Sequence, residues 1–283
     1  MVKISSRGYV VYYAGDTLMH KLDPRAKLIM LAYFVGLALL FSNPIHLALV
    51  LLAAILIWFY ARIPAKEVSR VYKYVYGTLA LVIIIQGLSF PTGTEILRII
   101  PENPLLGNVG ALTIEGLVYG IAISERILIM MIIGPLVIYT TPLDRLILGM
   151  VKMKMPYTIA YIMSSALNIL PSVQLEIATI IEAQTARAFT KLETGGFVER
   201  MRAYIPILVP LIVSMARNST QLSLAMAARA FGASKERTFY RDIKAETKDY
   251  IVIGIMVVTF AIFVYAYIVY GFGAFDFYAI KFF

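Results

Sequence analysis

Apolar residues in this chain come in long runs separated by short polar segments that contain proline. No Asp, Glu, Lys or Arg interrupts residues 28–61, 74–94 or 250–275. A membrane-spanning helix needs about 20 mostly apolar residues. The first run is too long for one helix, and "SNP" at Ser42–Pro44 divides it into a hairpin of two short spans. The pattern predicts spanning helices over about 25–41, 45–61, 74–90 and 112–140, and a last one over 250–270. Two starts carry their own signals. Asp23-Pro24 reads as an N-cap followed by proline in the first turn. In "TTPLD", Thr141 can cap, Pro142 opens the helix and Asp144 sits where a capping box places its acid.

The character changes over 142–249, where charges become frequent. Ile159, Ile162, Ala166, Leu170, Val173, Ile177 and Ile180 recur at spacings of three and four, one stripe of a helix. That helix should run from Pro156 to about Thr190, roughly 50 Å at ~1.5 Å per residue. A second should run from about Tyr204 to Phe231 and end at Gly232, with Gly195 and Gly196 in the connection. A rival division makes 155–175 and 204–216 into spans, giving seven. Ser164, Ser165, Asn168, Pro171 and Ser172 make the first polar for lipid, and Pro206 and Pro210 interrupt the short second. The expected organisation is therefore four membrane helices in 1–141, long coupling helices in 142–249 and a final membrane helix in 250–283. The fold class is an all-α polytopic membrane protein with about five spans.

Composition agrees. Hydrophobic residues make up 60% of the 283 and charged residues 15%, with mean hydropathy +0.79; a soluble domain carries about 25% charged residues. The net charge of +9 follows the positive-inside rule rather than a nucleic-acid footprint. Lys3, Arg7, Lys21, Arg25 and Lys27 precede the first span, and Arg62, Lys66, Arg70 and Lys73 fill the second loop. The "SNP" turn has no basic residue and the proline loop after Phe90 has Arg98. Alternation puts the N-terminus and 142–249 in the cytoplasm of a cell-membrane protein and the C-terminus outside. No signal peptide is expected. With no cysteine, and with His20 and His46 in separate loops, neither a metal site nor a bound cofactor is expected.

The candidate chemistry is a repeat. "AQTARAF" at Ala183–Phe189 returns 42 residues later as "AMAARAF" at Ala225–Phe231. Arg187 and Arg229 fall in the last turns of the two long helices, where the macrodipole favours a cation. Ala183 and Ala186 keep one face small up to the guanidinium, as Ala225 and Ala228 do in the second copy. Another surface can then approach the backbone while arginine presents its fork of donors. Ala188 and Ala230 follow the arginines, and Phe189 and Phe231 add an apolar anchor. Two such tips read as plugs for grooves on a partner protein.

These motifs, taken in order with "LDPRAKL" at Leu22–Leu28, "TTP" at Thr140–Pro142 and "FGASKERT" after the second repeat, make the chain resemble the transmembrane coupling (T) component of energy-coupling-factor transporters. That family includes the cobalt-transport permeases. The resemblance covers nearly the whole length. It implies a non-catalytic subunit that joins two ABC-type ATPase subunits to a small substrate-binding membrane protein, the S component, for uptake of a vitamin or transition metal. It further implies that Arg187 and Arg229 enter grooves on the ATPases. The chain has no Gly-Lys dipeptide, hence no phosphate loop of its own. Alanine at Ala188 and Ala230 replaces the glycine usual in the family's signatures.

Glu125 and Arg126 lie inside the fourth span. Such residues are functional candidates, but packing between helices is the expected role of Arg126, as it is of Asn168 and Gln221. Met150, Met153 and Met155 fit an adaptable apolar surface. The alternative function, a stand-alone secondary transporter of a small solute, lacks its usual signs: no inverted repeat and no charged groups on discontinuous spans. No constellation supports an intramembrane enzyme.

Overall fold

A computed structural model describes residues 12–13, 15–63, 65–90, 94–98, 110–187, 196, 201–202, 204–233, 243 and 245–273. The chain divides into two compact units, Met1–Met153 with Ile243–Phe283, and Lys154–Asp242. The architecture is all-α, as expected of this membrane protein, apart from one small ribbon.

In the first unit, a short α1 (Leu18–Lys21) leads into α2 (Pro24–Leu40) and α3 (Pro44–Tyr60). The first longer helix starts as its sequence predicts, and the second starts with a side-chain cap of the same kind at the turn the sequence marks. The Asp23 carboxylate accepts from Arg25 N at 2.8 Å ahead of Pro24. The Asn43 side chain accepts from Ile45 N at 3.0 Å ahead of Pro44. Next come α4 (Ala65–Ser89), β1 (Glu95–Arg98), β2 (Ala111–Thr113), α5 (Ile114–Thr140) and α6 (Leu143–Lys152). The strands pair antiparallel; β1 lies in the stretch the sequence marks only as a proline loop, and β2 takes the first residues of the helix expected over 112–140. Thr94 N donates to the buried Glu115 carboxylate at 2.8 Å, tying the ribbon to the first turn of α5.

The long α5 is the central helix. Ala122, Ile129, Ile133 and Leu136 are fully buried, in one core with Phe34 and Leu37 of α2 and Leu47, Ala54 and Trp58 of α3. Toward α4 it presents glycines instead. A Cβ on Gly120 would stand 2.8 Å from Ile83 Cα, and one on Gly116 2.8 Å from the Gln86 carbonyl oxygen. Small residues of this kind let membrane helices approach by their backbones.

The last helix of the first unit, α9 (Thr247–Tyr270), lies against α2. Phe260 covers Gly36 and meets Tyr33 edge-on. Past its C-cap, the Gly273 carbonyl accepts from Ser42 N at 2.8 Å and Asn43 N at 3.0 Å, closing the α2–α3 turn. Gly273 holds φ +83° there, a left-handed conformation that glycine adopts without steric cost. The same turn receives Arg126 of α5, which donates to Phe41 O at 2.8 Å and Ser42 Oγ at 3.2 Å. The packing role expected of Arg126 therefore has a specific partner, the carbonyl that ends α2.

The second unit holds α7 (Tyr157–Ala186) and α8 (Ile205–Ala228). By length and composition α5, α7 and α9 are long and apolar enough to cross a membrane, and α3 and residues 75–89 form shorter apolar helices.

Gly120→Ala should separate α4 from α5. Overpacking costs about 1–3 kcal/mol, which exceeds the ~0.5–1 kcal/mol that alanine gains over glycine inside a helix. Gly134, in the same helix, has open space around its Cβ position. Thermal unfolding in detergent should show Gly120→Ala lowering Tm while Gly134→Ala leaves it unchanged or raises it.

Candidate docking site: two arginine-tipped helix ends

The two helices of the second unit pair antiparallel. At one end Tyr161 packs on Phe231 with ring centroids 4.8 Å apart, and its hydroxyl donates to Met226 Sδ at 2.7 Å. At the other end Gln184 Nε2 donates to Pro206 O at 3.3 Å. Each helix thus starts beside the finish of the other. The two arginine motifs, both at C-terminal ends, fall at opposite ends of the hairpin. They are roughly 40 Å apart by helical rise.

The two ends are built alike. Arg187 is the C-cap of α7 at φ −87°, ψ 18°, and Arg229 is the C-cap of α8 at φ −94°, ψ 15°. Both are exposed, as are Ala183, Ala186, Ala225 and Ala228. Among the described residues, neither arginine forms an ion pair or a side-chain hydrogen bond. Ala188 and Phe189 lie outside the described residues.

After Arg229 the backbone is explicit. Phe231 N donates to Met226 O at 3.0 Å and Ala230 N to Ala227 O at 3.0 Å. This pair of bonds is a Schellman cap, whose turning residue must be left-handed. Ala230 takes that position at φ +53°. Alanine therefore occupies the place that glycine fills most cheaply. Phe231, which the sequence presents as an anchor for a partner, packs on Tyr161 and Tyr157 of its own hairpin and keeps 40% of its surface exposed. Its ring fixes the cap from which Arg229 projects.

One polar cluster escapes sequence reasoning. In the first unit Lys27 is fully buried, and its Nζ donates to Thr140 O at 3.0 Å and Thr141 Oγ1 at 2.7 Å. Asp23 N donates to the buried Asp249 carboxylate at 2.9 Å. In the sequence Lys27 is one of several basic residues before a span. The available signal was its position, inside the first turn of an apolar helix rather than ahead of it. Nearby, Thr17 Oγ1 lies 2.7 Å from His20 Nδ1. Burial, reinforced by the Lys27 charge, lowers the His20 pKa below its ordinary 6.5.

Residues 15–240 match the family described as cobalt transport protein. The energy-coupling factor transporter transmembrane protein EcfT of Bacillus subtilis (strain 168) is 30% identical over 261 residues, covering 89% of this chain and 94% of its own length. Its namesake in Clostridium kluyveri is 31% identical over 255 residues, covering 85% and 89%. That of Thermotoga maritima is 26% identical over 261 residues, covering 89% and 92%.

Ala230→Gly should relieve the left-handed strain at the α8 cap, worth about 1–2 kcal/mol. Hydrogen exchange should read this as several-fold slower exchange of the amides of Ala230 and Phe231. Ala230→Val should speed it.

Proposed function

The chain belongs to the cobalt transport protein family, as the transmembrane component of an energy-coupling-factor transporter, and from that premise we propose that it couples two cytoplasmic ABC-type ATPases to a substrate-binding membrane subunit. The observation that carries this reading is the hairpin. Two helices running antiparallel, each ending in the same arginine cap, are related by an approximate twofold axis across the pair. Two like ATPases that associate as a closed pair are related by a twofold axis as well. One arginine tip then meets one ATPase and the other meets its neighbour, with the same contacts. The subunit supplies no ATP chemistry of its own, and its cargo is a vitamin or a transition metal ion captured by the other membrane subunit.

Such docking needs both tips on one side of a cell membrane, so the hairpin lies along the cytoplasmic surface rather than across the bilayer. The composition of α8 supports this, while α7, of the two, is long and apolar enough to cross a membrane. Arg217, Asn218, Thr220 and Gln221 occupy the middle of α8, and Glu176 the second half of α7. A charge at the centre of a bilayer costs at least ~2.5–3.5 kcal/mol. Basic residues before α2, and Arg62, Lys66, Arg70 and Lys73 from the α3–α4 connection into the start of α4, support a cytoplasmic position for those segments too.

Two measurements test the reading. The chain has no cysteine, so Glu182→Cys and Ser223→Cys, near opposite ends of the hairpin, can be labelled one at a time. Both should resist an impermeant maleimide in intact cells and react in inside-out vesicles; reaction of only one in intact cells would mean that the hairpin crosses the membrane. The second test reverses the arginine charges. Losing a desolvated charged contact costs ~2–5 kcal/mol, so Arg187→Glu or Arg229→Glu alone should weaken capture of the ATPases by the purified chain. The double variant should nearly abolish capture with Tm unchanged. Normal capture by the double variant would make both arginines ordinary solvated helix ends.

A further inference from the structure

Lys27, Asp23 and Asp249 form a clasp that the docking chemistry does not use. Thr140 is the last residue of α5, and its carbonyl is one of those a helix end leaves without a partner in its own helix. The Lys27 amine takes it, and takes the Thr141 hydroxyl as well. At the residue preceding α2, Asp23 N holds one oxygen of Asp249, whose other oxygen accepts from Glu246 N at 2.8 Å and so closes the first turn of α9. Next along, α6 seats its buried Gly149 on Pro24, where a Cβ would come within 2.9 Å of Pro24 Cβ.

The order of the chain gives this cluster its meaning. The polypeptide leaves the first unit after α6, at Met153, and returns at Ile243, just before α9. The turn 23–27 is thus hydrogen-bonded to the residues just ahead of the outgoing α6 and to the first turn of the returning α9, while α6 itself packs on Pro24. The bonds are short, buried and made by ionisable groups, a class of hydrogen bond roughly twice as strong as neutral ones and fixed in direction. Breaking one leaves a buried carbonyl or hydroxyl without its partner. Within the first unit, the starts of α2 and α9 and the end of α5 are therefore held together at one point.

We propose that the 23–27 turn is the fulcrum of the coupling subunit, with Lys27 and Asp249 as positioning residues that pass displacement of the second unit to the membrane helices. This rests on the function proposed above.

The test uses the complete complex with its ATPases in liposomes. Spin labels on Tyr60→Cys and Tyr270→Cys, two exposed positions at the ends of α3 and α9, report whether the membrane helices move between the nucleotide-free state and the state trapped with ATP and vanadate. The wild type should show a distance shift. Thr141→Val removes the hydroxyl with almost no change of shape, and Lys27→Met removes both bonds. Each should still capture the ATPases and hydrolyse ATP, while the distance shift shrinks severalfold. Thr141→Ser should keep the shift. Should Lys27→Met not fold, Thr141→Val and Thr141→Ser decide alone. A wild-type shift in Thr141→Val, or no shift in the wild type, overturns the fulcrum. Failure of the wild type to capture the ATPases overturns the function proposed above and this inference with it; capture without the loss of motion overturns this inference only.

Discussion

The first unit depends on a buried amine finding two oxygens. Lys27 has no exposed surface, so the water its charge would hold has to be replaced by the protein. A buried polar group without a partner is costly. The partners it finds fix the geometry of the bundle, because the start of α2 must lie level with the end of α5. From that point the helices run antiparallel, and lengths decide the rest. The 17 residues of α2 rise ~25 Å before the turn at Phe41. Arg126, 14 residues before Thr140, stands ~21 Å along α5 and meets that turn. Two basic side chains thus pin the α2–α5 pair, one at each end of α2, and each satisfies the carbonyls that end a helix.

The remainder of α5, from Ile114 to Arg126, runs on past the α2–α3 turn for ~18 Å. This stretch needs different company. It finds it in α4, through Gly116 and Gly120 against Gln86 and Ile83, and in the ribbon, through Glu115 and Thr94. The division of α5 into a branched apolar face toward α2 and α3 and a glycine face toward α4 follows from this difference in depth. α2 and α3 pack by side chains that interdigitate with Ile129, Ile133 and Leu136. α4 packs by backbone approach.

What the sequence makes legible here is mostly short-range. Asp23-Pro24 announces a helix start because cap and helix are neighbours in the chain, whereas Thr141 ends α5 and Pro142 precedes α6 with no side-chain cap. The apolar runs announce α3, α5 and α9, and the spacing of three and four announces α7. The repeat announces two similar helix ends. Through-space partners left no such mark. Nothing about Lys27 in one dimension points to Thr140, and nothing about Arg126 points to the turn at Phe41, more than 80 residues away. The antiparallel pairing of α7 with α8, which turns two similar ends into two opposite ends, is likewise a tertiary fact. Phe231 carries the same lesson on a small scale. Two residues after an arginine it looks like a free anchor, yet the Schellman turn folds it back onto Tyr161.

The cap at Ala230 is not the one that stability alone would choose. Glycine would end α8 without strain; alanine at φ +53° carries a penalty of about 1–2 kcal/mol. The favourable term beside it is the Arg229 cation at the negative end of the helix dipole, worth ~0.3–1 kcal/mol where exposed. The aromatic contact of Phe231 with Tyr161 adds ~0.5–1.5 kcal/mol. The three terms nearly cancel, so the helix end is held mainly by its two backbone hydrogen bonds. Its geometry is well defined without being deeply stable. Strained backbone persists where surrounding structure over-determines it, and here Tyr157, Tyr161 and Met226 supply that structure. The strain sits beside the arginine that the proposed function requires to project from the hairpin, and the methyl group of Ala230 also narrows the conformations open to the turn when α8 frays. In the function proposed above, alanine thus exchanges cap stability for a narrower range of backbone conformations beside Arg229.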